Sequence, residues 1–423
     1  MATTGMTLEG IRVLDLTRAW AGPLCVRLLA DMGAQVIKVE RPTGRGAATI
    51  APKQRQSGIY PGGEPGAHPW RREGIYNKFN RNRLSLAINL TAPQGAAVFK
   101  DLARVSDVVV DNFSARVMDN FGLGYKVLSA INPAIIQVQM PAFGMTGPYR
   151  NYVTGGSISE TFAGLSWLMG YPDRGPLASG PRICDPIAGI MGTSALLTAL
   201  HHRRRSGRGQ HIDLSHGEAI TTFLGEAAVG YSLTGRLPAR LGNHHPYYAP
   251  HNVYRCRGDD KWVTVTVTAE EQWQALCQAM DQPELARDER FCEPLSRWDN
   301  QAQLDQIIEA WTSQRDHYEV MHLLQRQGVI AAAVLDVKEM VEDPQLKARG
   351  FYVSIDQPEV GPLPYPGLPI KFSRGYRTRW DPCPDLGEHN RWVLQELLEY
   401  SEEEVRELEE AGVIVYGPAG GPE

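Results

Sequence analysis

The chain holds 423 residues, 43% of them apolar and 22% charged, with a formal net charge of −5. That composition is ordinary for a globular protein of about two to three domains, and the weak negative charge leaves no global basic field for nucleic acid or an anionic membrane surface. No apolar run approaches the roughly 18–20 residues that span a bilayer, so no membrane partner is expected. The opening MATTGMTLEGIRVLDL shows no basic segment leading into an apolar core, so no signal peptide is expected either. Six cysteines are scattered without a CxxC or a metal-ligand spacing. They predict free thiols in a reducing, cytoplasmic setting and no bound metal.

In chain order, Ile11–Leu16 reads as a buried strand, TRAWAGP (17–23) as a loop, Leu24–Met32 as an apolar helix closed by Gly33, and Val36–Glu40 as a second strand. A strand, helix and strand within about 30 residues predict a parallel α/β sheet. The first loop lacks G-x-G-x-x-G, and the chain lacks G-x-x-x-x-G-K-[ST]. Glu40 stands where a ribose hydroxyl is often met, but without the glycines no nicotinamide is expected. Arg41–Tyr76 is a long Gly- and Pro-rich connection carrying Arg45, Arg55, Arg71 and Arg72. NKFNRNR (77–83) sets cationic and amide side chains around an aromatic, which suits phosphates and a stacked ring. A second βα repeat follows: a helix over 93–105, a strand ending at Asn112-Phe113, short helices near 115–121 and 125–132, and a strand over 135–139. PAFGMTGPYRNY (141–152) is loop-like, and Gly155-Gly156-Ser157 opens a helix through Leu168.

SGPRICDPIAGIMG (179–192) carries one carboxylate, Asp185, followed by Pro186 and a small, apolar run. Asp at a helix N-cap and Pro at the first helical position are both favoured, so Asp185 is expected to cap a helix running to the HHRRR end at 201–205. The dipole would stabilise its ionised form, making it either a structural cap or a covalent nucleophile. Cys184 reads as a small buried residue, and a strand over 210–214 follows. Beyond 222–241 the pattern changes. GNHHPYY (242–248) is a polar, aromatic loop, and Trp262–Val267 alternates as a half-buried strand. Helices are predicted over 270–280, 304–313, 316–327 and 339–350, a buried strand over 329–335, and a strand over 351–355. Ser401 and Glu404 form a capping box for a last helix ended by Gly412.

Taken together, LEGIRVLDLTRAWAGP (8–23), GAQVIKVERP (33–42), FNRNRLSLAINL (79–90), DVVVDNF (107–113), FGMTGPY (143–149), the Asp185 stretch, RRSGRGQHIDLS (204–215), GN (242–243) and EDPQLKARGF (342–351) resemble the class III CoA transferases, the formyl-CoA transferase-like CaiB/BaiF group. The resemblance implies a Rossmann-like α/β large domain with a parallel sheet, built from 1–225 and 331–423, plus a smaller α+β domain at 226–330. It implies an interlocked homodimer, with a hetero-oligomer of related subunits as the alternative. The implied substrates are acyl-CoA and small carboxylic acids, with CoA itself as the carried group. Asp185 would attack the thioester to give a mixed anhydride and then an enzyme–CoA thioester.

Carried over residue by residue, CoA contacts fall on Arg18, Ala19, Trp20, Arg41, Asn112 and Arg83, the last where many members have Lys. Arg116 would replace a cation usually found nearer the NF pair. GNHHPYY stands where some members have a glycine-rich loop over the site, so Arg182, His244, His245 and Tyr247 are candidate substrate contacts. These residues suggest succinyl-CoA as donor and a larger dicarboxylic or aryl-substituted acid as acceptor. The rival with the same fold is an acyl-CoA racemase. Where racemases carry a Gly-His-Asp segment this chain has Gly155-Gly156-Ser157, with no imidazole to move an α-proton.

Overall fold

The structure is a computed structural model that describes residues 5–42, 59–373 and 378–417. Arg45 and Arg55 lie outside the described residues. Six strands, β1 (Arg12–Asp15), β2 (Gln35–Glu40), β3 (Arg83–Ala87), β4 (Val108–Asp111), β5 (Ile136–Gln139) and β6 (His211–Asp213), form one sheet in the order β3-β2-β1-β4-β5-β6. Every pairing in it is parallel. The inner strands β1, β2 and β4 are short, largely apolar runs because both faces are covered, whereas the edge strand β6, His211–Asp213, is polar and largely exposed. Successive residues alternate sides, so Leu14 joins Ile37, Leu86, Phe99 and Val109 in one core while Val13 joins Leu29, Val36, Val138 and Leu196 in the other.

The sheet order reverses at β1. To one side the chain runs on to β2, to the other it resumes at β4, so the loops after β1 and β4 part and leave a crevice at their carboxyl ends. The chain's last segment returns to this unit. Val413 and Ile414 enter the first core, and the Asn390 side chain accepts from the Ala87 amide at 2.9 Å while donating to the Val415 carbonyl at 2.8 Å.

One compact unit comprises 1–165, 178–229 and 350–423, and the second comprises 166–177 and 230–349. The expected boundary at 330 falls at the start of a strand. Ile330–Val334 (β9) pairs antiparallel with β8 (Trp262–Thr266), which pairs with β7 (His251–Arg255), so the smaller unit runs on to Arg349. That strand is not buried as its apolar run suggested. It is an edge strand with alternate residues exposed, and its alanines suit one covered face.

Two long predicted helices are each broken in two. Gly164, at φ +91°, separates Gly156–Phe162 from Leu165–Leu168. Pro344 ends the helix over Val337–Glu342 and starts Pro344–Ala348, with Asp343 capping the Leu346 amide at 3.0 Å. The Ser401–Glu404 capping box forms as read from the sequence. Among the described residues no helix is long and apolar enough to cross a membrane.

Candidate active site

The helix Cys184–Ser206, here α5, packs along α1 (Ala21–Asp31); the helices between them in this count are α2 (Gly74–Asn80), α3 (Pro93–Arg104) and α4 (Gly156–Phe162). Glycines make the contact close. A Cβ on Gly189 would stand 2.7 Å from the Ala21 carbonyl oxygen, and one on Gly192 would crowd Met140 and Cys25. This packing sets the amino end of α5 beside the start of α1, at the carboxyl edge of the sheet.

Asp185 is not the cap of this helix. Ile183 occupies that position, and Asp185 lies one residue inside the first turn with no side-chain cap bond. A second carboxylate does the capping work. Glu160, fully buried on α4, accepts from the Ser179 hydroxyl at 2.6 Å and the Ser179 amide at 3.2 Å, and the Ser179 hydroxyl in turn accepts from the Ile183 amide at 3.2 Å. The Cys184 amide donates to Glu160 Oε1 at 3.5 Å and the Asp185 amide to the Arg182 carbonyl at 3.2 Å, and the Asp185 carboxylate makes no hydrogen bond of its own to the helix end.

Its oxygens face two neighbours. A Cβ on Gly156 would lie 2.5 Å from Oδ2, so only glycine leaves the carboxylate this position. On the other side, His216 Nδ1 is 4.0 Å from Oδ1. Burial pushes the Asp185 pKa up to about 6; Arg182 opposes the shift and Glu160 adds to it. The expected stabilisation of the charge by the helix end is therefore outweighed by desolvation. The ionised form of Asp185 is still the larger share at neutral pH.

His216 opens the helix His216–Thr221 (α6), which follows β6 and is capped by Ser215, whose hydroxyl accepts from the Glu218 amide at 3.3 Å. Burial lowers the imidazole pKa to about 4, so the ring is neutral and its approach to Asp185 is not an ion pair. Sequence reasoning passed over both His216 and Glu160. The available signals were a Ser-His pair just after a parallel strand and a lone carboxylate in the helix GSISETF.

The loops after β1 and β4 are tied together at the crevice. The Arg18 amide donates to Asn112 Oδ1 and Asn112 Nδ2 donates to the Arg18 carbonyl, both at 2.8 Å. The Arg18 guanidinium lies 5.6 Å from the Phe113 ring centroid, and burial followed by the like charge of Arg41 lowers its pKa. Ala19 takes φ +61°, and the Trp20 ring stands 5.9 Å from Phe79 with the Lys78 ammonium 5.4 Å from Trp20. Arg18, Ala19, Trp20, Arg41 and Asn112 therefore belong to one edge of the sheet. Arg116 is exposed just before a short helix at 117–120.

Arg83 does not match its expected role. Its guanidinium is fully buried, hydrogen-bonded to Asp15, to Asn80 Oδ1 at 2.7 Å and to the Pro23 carbonyl at 2.8 Å. Lys38 adds a second cation 3.4 Å from the same Asp15 carboxylate. Arg83 is occupied in holding β1, β3 and α1 together, and its one nitrogen without a partner, Nε, is buried. Arg71 is likewise bound, to Glu359 and Asp385 at 2.6 Å each.

Of the candidate substrate residues, Arg182 is exposed at φ +53° next to Asp185. Within the smaller unit, His244 is held by Asp305 at 2.7 Å, His245 stacks on Tyr248 at 4.6 Å, and Tyr247 is largely exposed. Asp305 is also bound by the Tyr254 hydroxyl at 2.7 Å and Asn252 at 2.9 Å, so His244 is part of a local network and not a free cation.

Residues 8–390 match the model of CoA-transferase family III. The succinyl-CoA–D-citramalate CoA-transferase of Chloroflexus aurantiacus is 35% identical over 408 residues, covering 96% of this chain and 98% of the relative. The succinate–glutarate CoA-transferase of Agrobacterium fabrum is 34% identical over 394 residues, 92% of this chain and 95% of the relative. A solved CaiB/BaiF family protein from Brucella suis is 32% identical, covers 93% of this chain and 99% of its own, and superposes with a TM-score of 0.82. This chain belongs to CoA-transferase family III, the enzymes that move CoA between carboxylic acids.

Proposed function

We propose that Asp185 is the covalent nucleophile of this transferase, with succinyl-CoA as donor and a larger dicarboxylic acid as acceptor. The observation that carries the reading is the state of Asp185: a desolvated carboxylate, not used as a helix cap, lying against a glycine beside an exposed arginine. Removing water from a carboxylate strengthens it as a nucleophile, and a pKa near 6 leaves it ionised at neutral pH.

Asp185 adds to the succinyl carbonyl, and the C–S bond breaks with its electron pair leaving on the CoA thiolate. The product is a succinyl–aspartyl anhydride. The thiolate then adds to Cγ of Asp185 and expels succinate, giving an aspartyl–CoA thioester. The acceptor carboxylate attacks this thioester to form a new anhydride, and the released thiolate attacks the acceptor's acyl carbon. New acyl-CoA leaves and Asp185 is restored. Arg18, Ala19, Trp20, Arg41 and Asn112, at the sheet's carboxyl edge, are the proposed CoA contacts, with Arg116 near them in sequence. Arg182 is the proposed cation for the far carboxylate of a dicarboxylic acid. The names of both relatives, which pair succinate or succinyl-CoA with glutarate or citramalate, support a dicarboxylic acceptor over an aryl acid.

The test is incubation with a panel of acyl-CoAs headed by succinyl-CoA, trapping with hydroxylamine, and peptide mass spectrometry. A modified Asp185 is expected, with loss of CoA exchange in Asp185→Ala; full exchange by Asp185→Ala would overturn the reading. One observation favours a second reading. The imidazole missing from 155–157 is supplied beside Asp185 by His216. Racemisation would appear as deuterium entering the α-carbon of an acyl-CoA in heavy water, and none is expected because burial, by lowering the ring's pKa to about 4, makes it a weak base for an α-proton.

A further inference from the structure

The chemistry above leaves His216 without a task. The residue is 7% exposed, and its Nδ1 lies 4.0 Å from Oδ1 of Asp185. Its other ring nitrogen, Nε2, is buried with no hydrogen-bond partner among the described residues. A neutral imidazole carries one N–H and one lone pair. A proton on Nε2 would be a buried donor without a hydrogen-bond partner among the described residues, whereas a proton on Nδ1 faces a carboxylate oxygen; the Met140 backbone carbonyl is the ring's other acceptor neighbour. A lone pair is the cheaper group to leave unmet, and a lone pair on Nδ1 would point at negative charge. Both considerations favour the Nδ1–H tautomer. Oδ2 lies on the Gly156 side, where the missing side chain leaves it room to attack the acyl carbon, so Oδ1 is the oxygen that this N–H can serve.

We propose that His216 is a further catalytic residue of this site, its Nδ1–H donating to Oδ1 of Asp185 while that oxygen carries charge in the acyl-aspartyl intermediates. The proposal rests on the covalent reading of Asp185. In the anhydride and in the enzyme thioester, Oδ1 is a carbonyl oxygen. When thiolate or carboxylate adds to Cγ, the carbonyl π pair moves onto Oδ1 and the adduct bears its negative charge there. When the pair returns, the C=O bond re-forms and the departing carboxylate or thiolate takes the electrons of the broken bond. His216 keeps its proton throughout. The gap must close from 4.0 Å to about 3 Å. Catalytic hydrogen bonds are commonly long in a free enzyme and tighten during reaction. A neutral donor suits the task, because an imidazolium would pair with the resting carboxylate and stabilise the ground state as well.

The experiment compares three variants of the full-length protein. His216→Gln keeps a neutral N–H donor; His216→Phe and His216→Met fill the space without one, the second serving if the first fails to fold. Acylation of Asp185 is followed by quenching and peptide mass spectrometry with the same acyl-CoA panel, alongside steady-state kcat and KM. Both apolar variants are expected to lose about 100-fold or more in kcat, as for a deleted oxyanion donor, with KM for the acyl-CoA within about three-fold. His216→Gln is expected to recover at least about ten-fold of that loss. A folded apolar variant with kcat within about three-fold of the parent, or a Gln variant no faster than Phe, overturns the proposal. If Asp185 of the parent protein never carries a label, the covalent reading falls and takes this one with it. If the parent is labelled and the apolar variants turn over normally, His216 alone is excluded.

Discussion

At the scale of single residues, the site is governed by desolvation. Asp185 has a carboxyl pKa raised from 3.8 to about 6, with burial as the leading cause. A raised carboxyl pKa means that the folded state binds the proton more tightly than the unfolded chain, so the charge costs stability at pH values above 6 and costs nothing once both states are protonated. Asp185→Asn is therefore expected to raise thermal stability by about 1–3 kcal/mol near pH 8 and to lose that advantage towards pH 4, read as the difference in Tm across pH. The same protonation removes the nucleophile, so kcat/KM for the acyl-CoA should fall on the acid side of a pKa near 6 in the parent protein. A pH-independent advantage of the Asn variant would count against a desolvated Asp185. Asp185 was legible as a candidate because Asp-Pro before a small, apolar run is a recognisable sequence. Its actual surroundings were not, since Gly156 and Glu160 come from α4, Ser179 from the loop before α5 and His216 from α6, three separate stretches of chain.

At the scale of elements, the two arginines expected at CoA prove to have different work. Arg18 sits in the crevice loop with its backbone clamped by Asn112 and its guanidinium beside Phe113. Arg83 starts β3 and reaches along the sheet to Asp15, beneath that loop. Replacing Arg18 with Ala is expected to raise KM for acyl-CoA about ten-fold at unchanged Tm, because it removes an exposed phosphate-competent cation. Replacing Arg83 with Ala is expected to cost about 3 kcal/mol in denaturant unfolding, because it strips Asp15 of a buried partner and leaves its charge to Lys38 alone. If Arg83→Ala kept full stability and lost only acyl-CoA affinity, the scaffold role would be wrong. The family resemblance pointed to both cations, but whether a guanidinium meets solvent or a buried carboxylate depends on the order of the strands in the sheet. In the same way, the 339–350 helix was predicted from its composition and broken by one proline, whereas the edge position of Ile330–Val334 depended on pairing with β8.

At the scale of the whole molecule, the large unit leaves several large apolar side chains exposed among its described residues. Val153 is 86% exposed, Phe223 67%, Val229 58% and Ile190, on α5, 54%. Scattered apolar residues are normal, but several on the elements around the candidate site mark surface that another chain can cover. The resemblance implies an interlocked homodimer, in which a second copy would cover such residues. Light scattering on the purified protein is expected to give twice the chain mass at micromolar concentration, and Phe223→Glu to lower it. A monomer of full activity would remove the dimer from the account, and a partner of different sequence co-purifying in equal amount would favour the hetero-oligomer instead.

The sequence by itself determined the βα order, the parallel sheet, the caps at Ser401 and Gly412, the family resemblance and Asp185 as the residue to watch. These depend on local periodicity and on residues adjacent in the chain. Only the tertiary structure decided that Glu160 takes the helix end, that Arg83 is sealed against Asp15, and that a neutral His216 stands 4.0 Å from Asp185. Burial and charge pairing depend on neighbours distant in sequence, and these set the protonation states on which the chemistry turns.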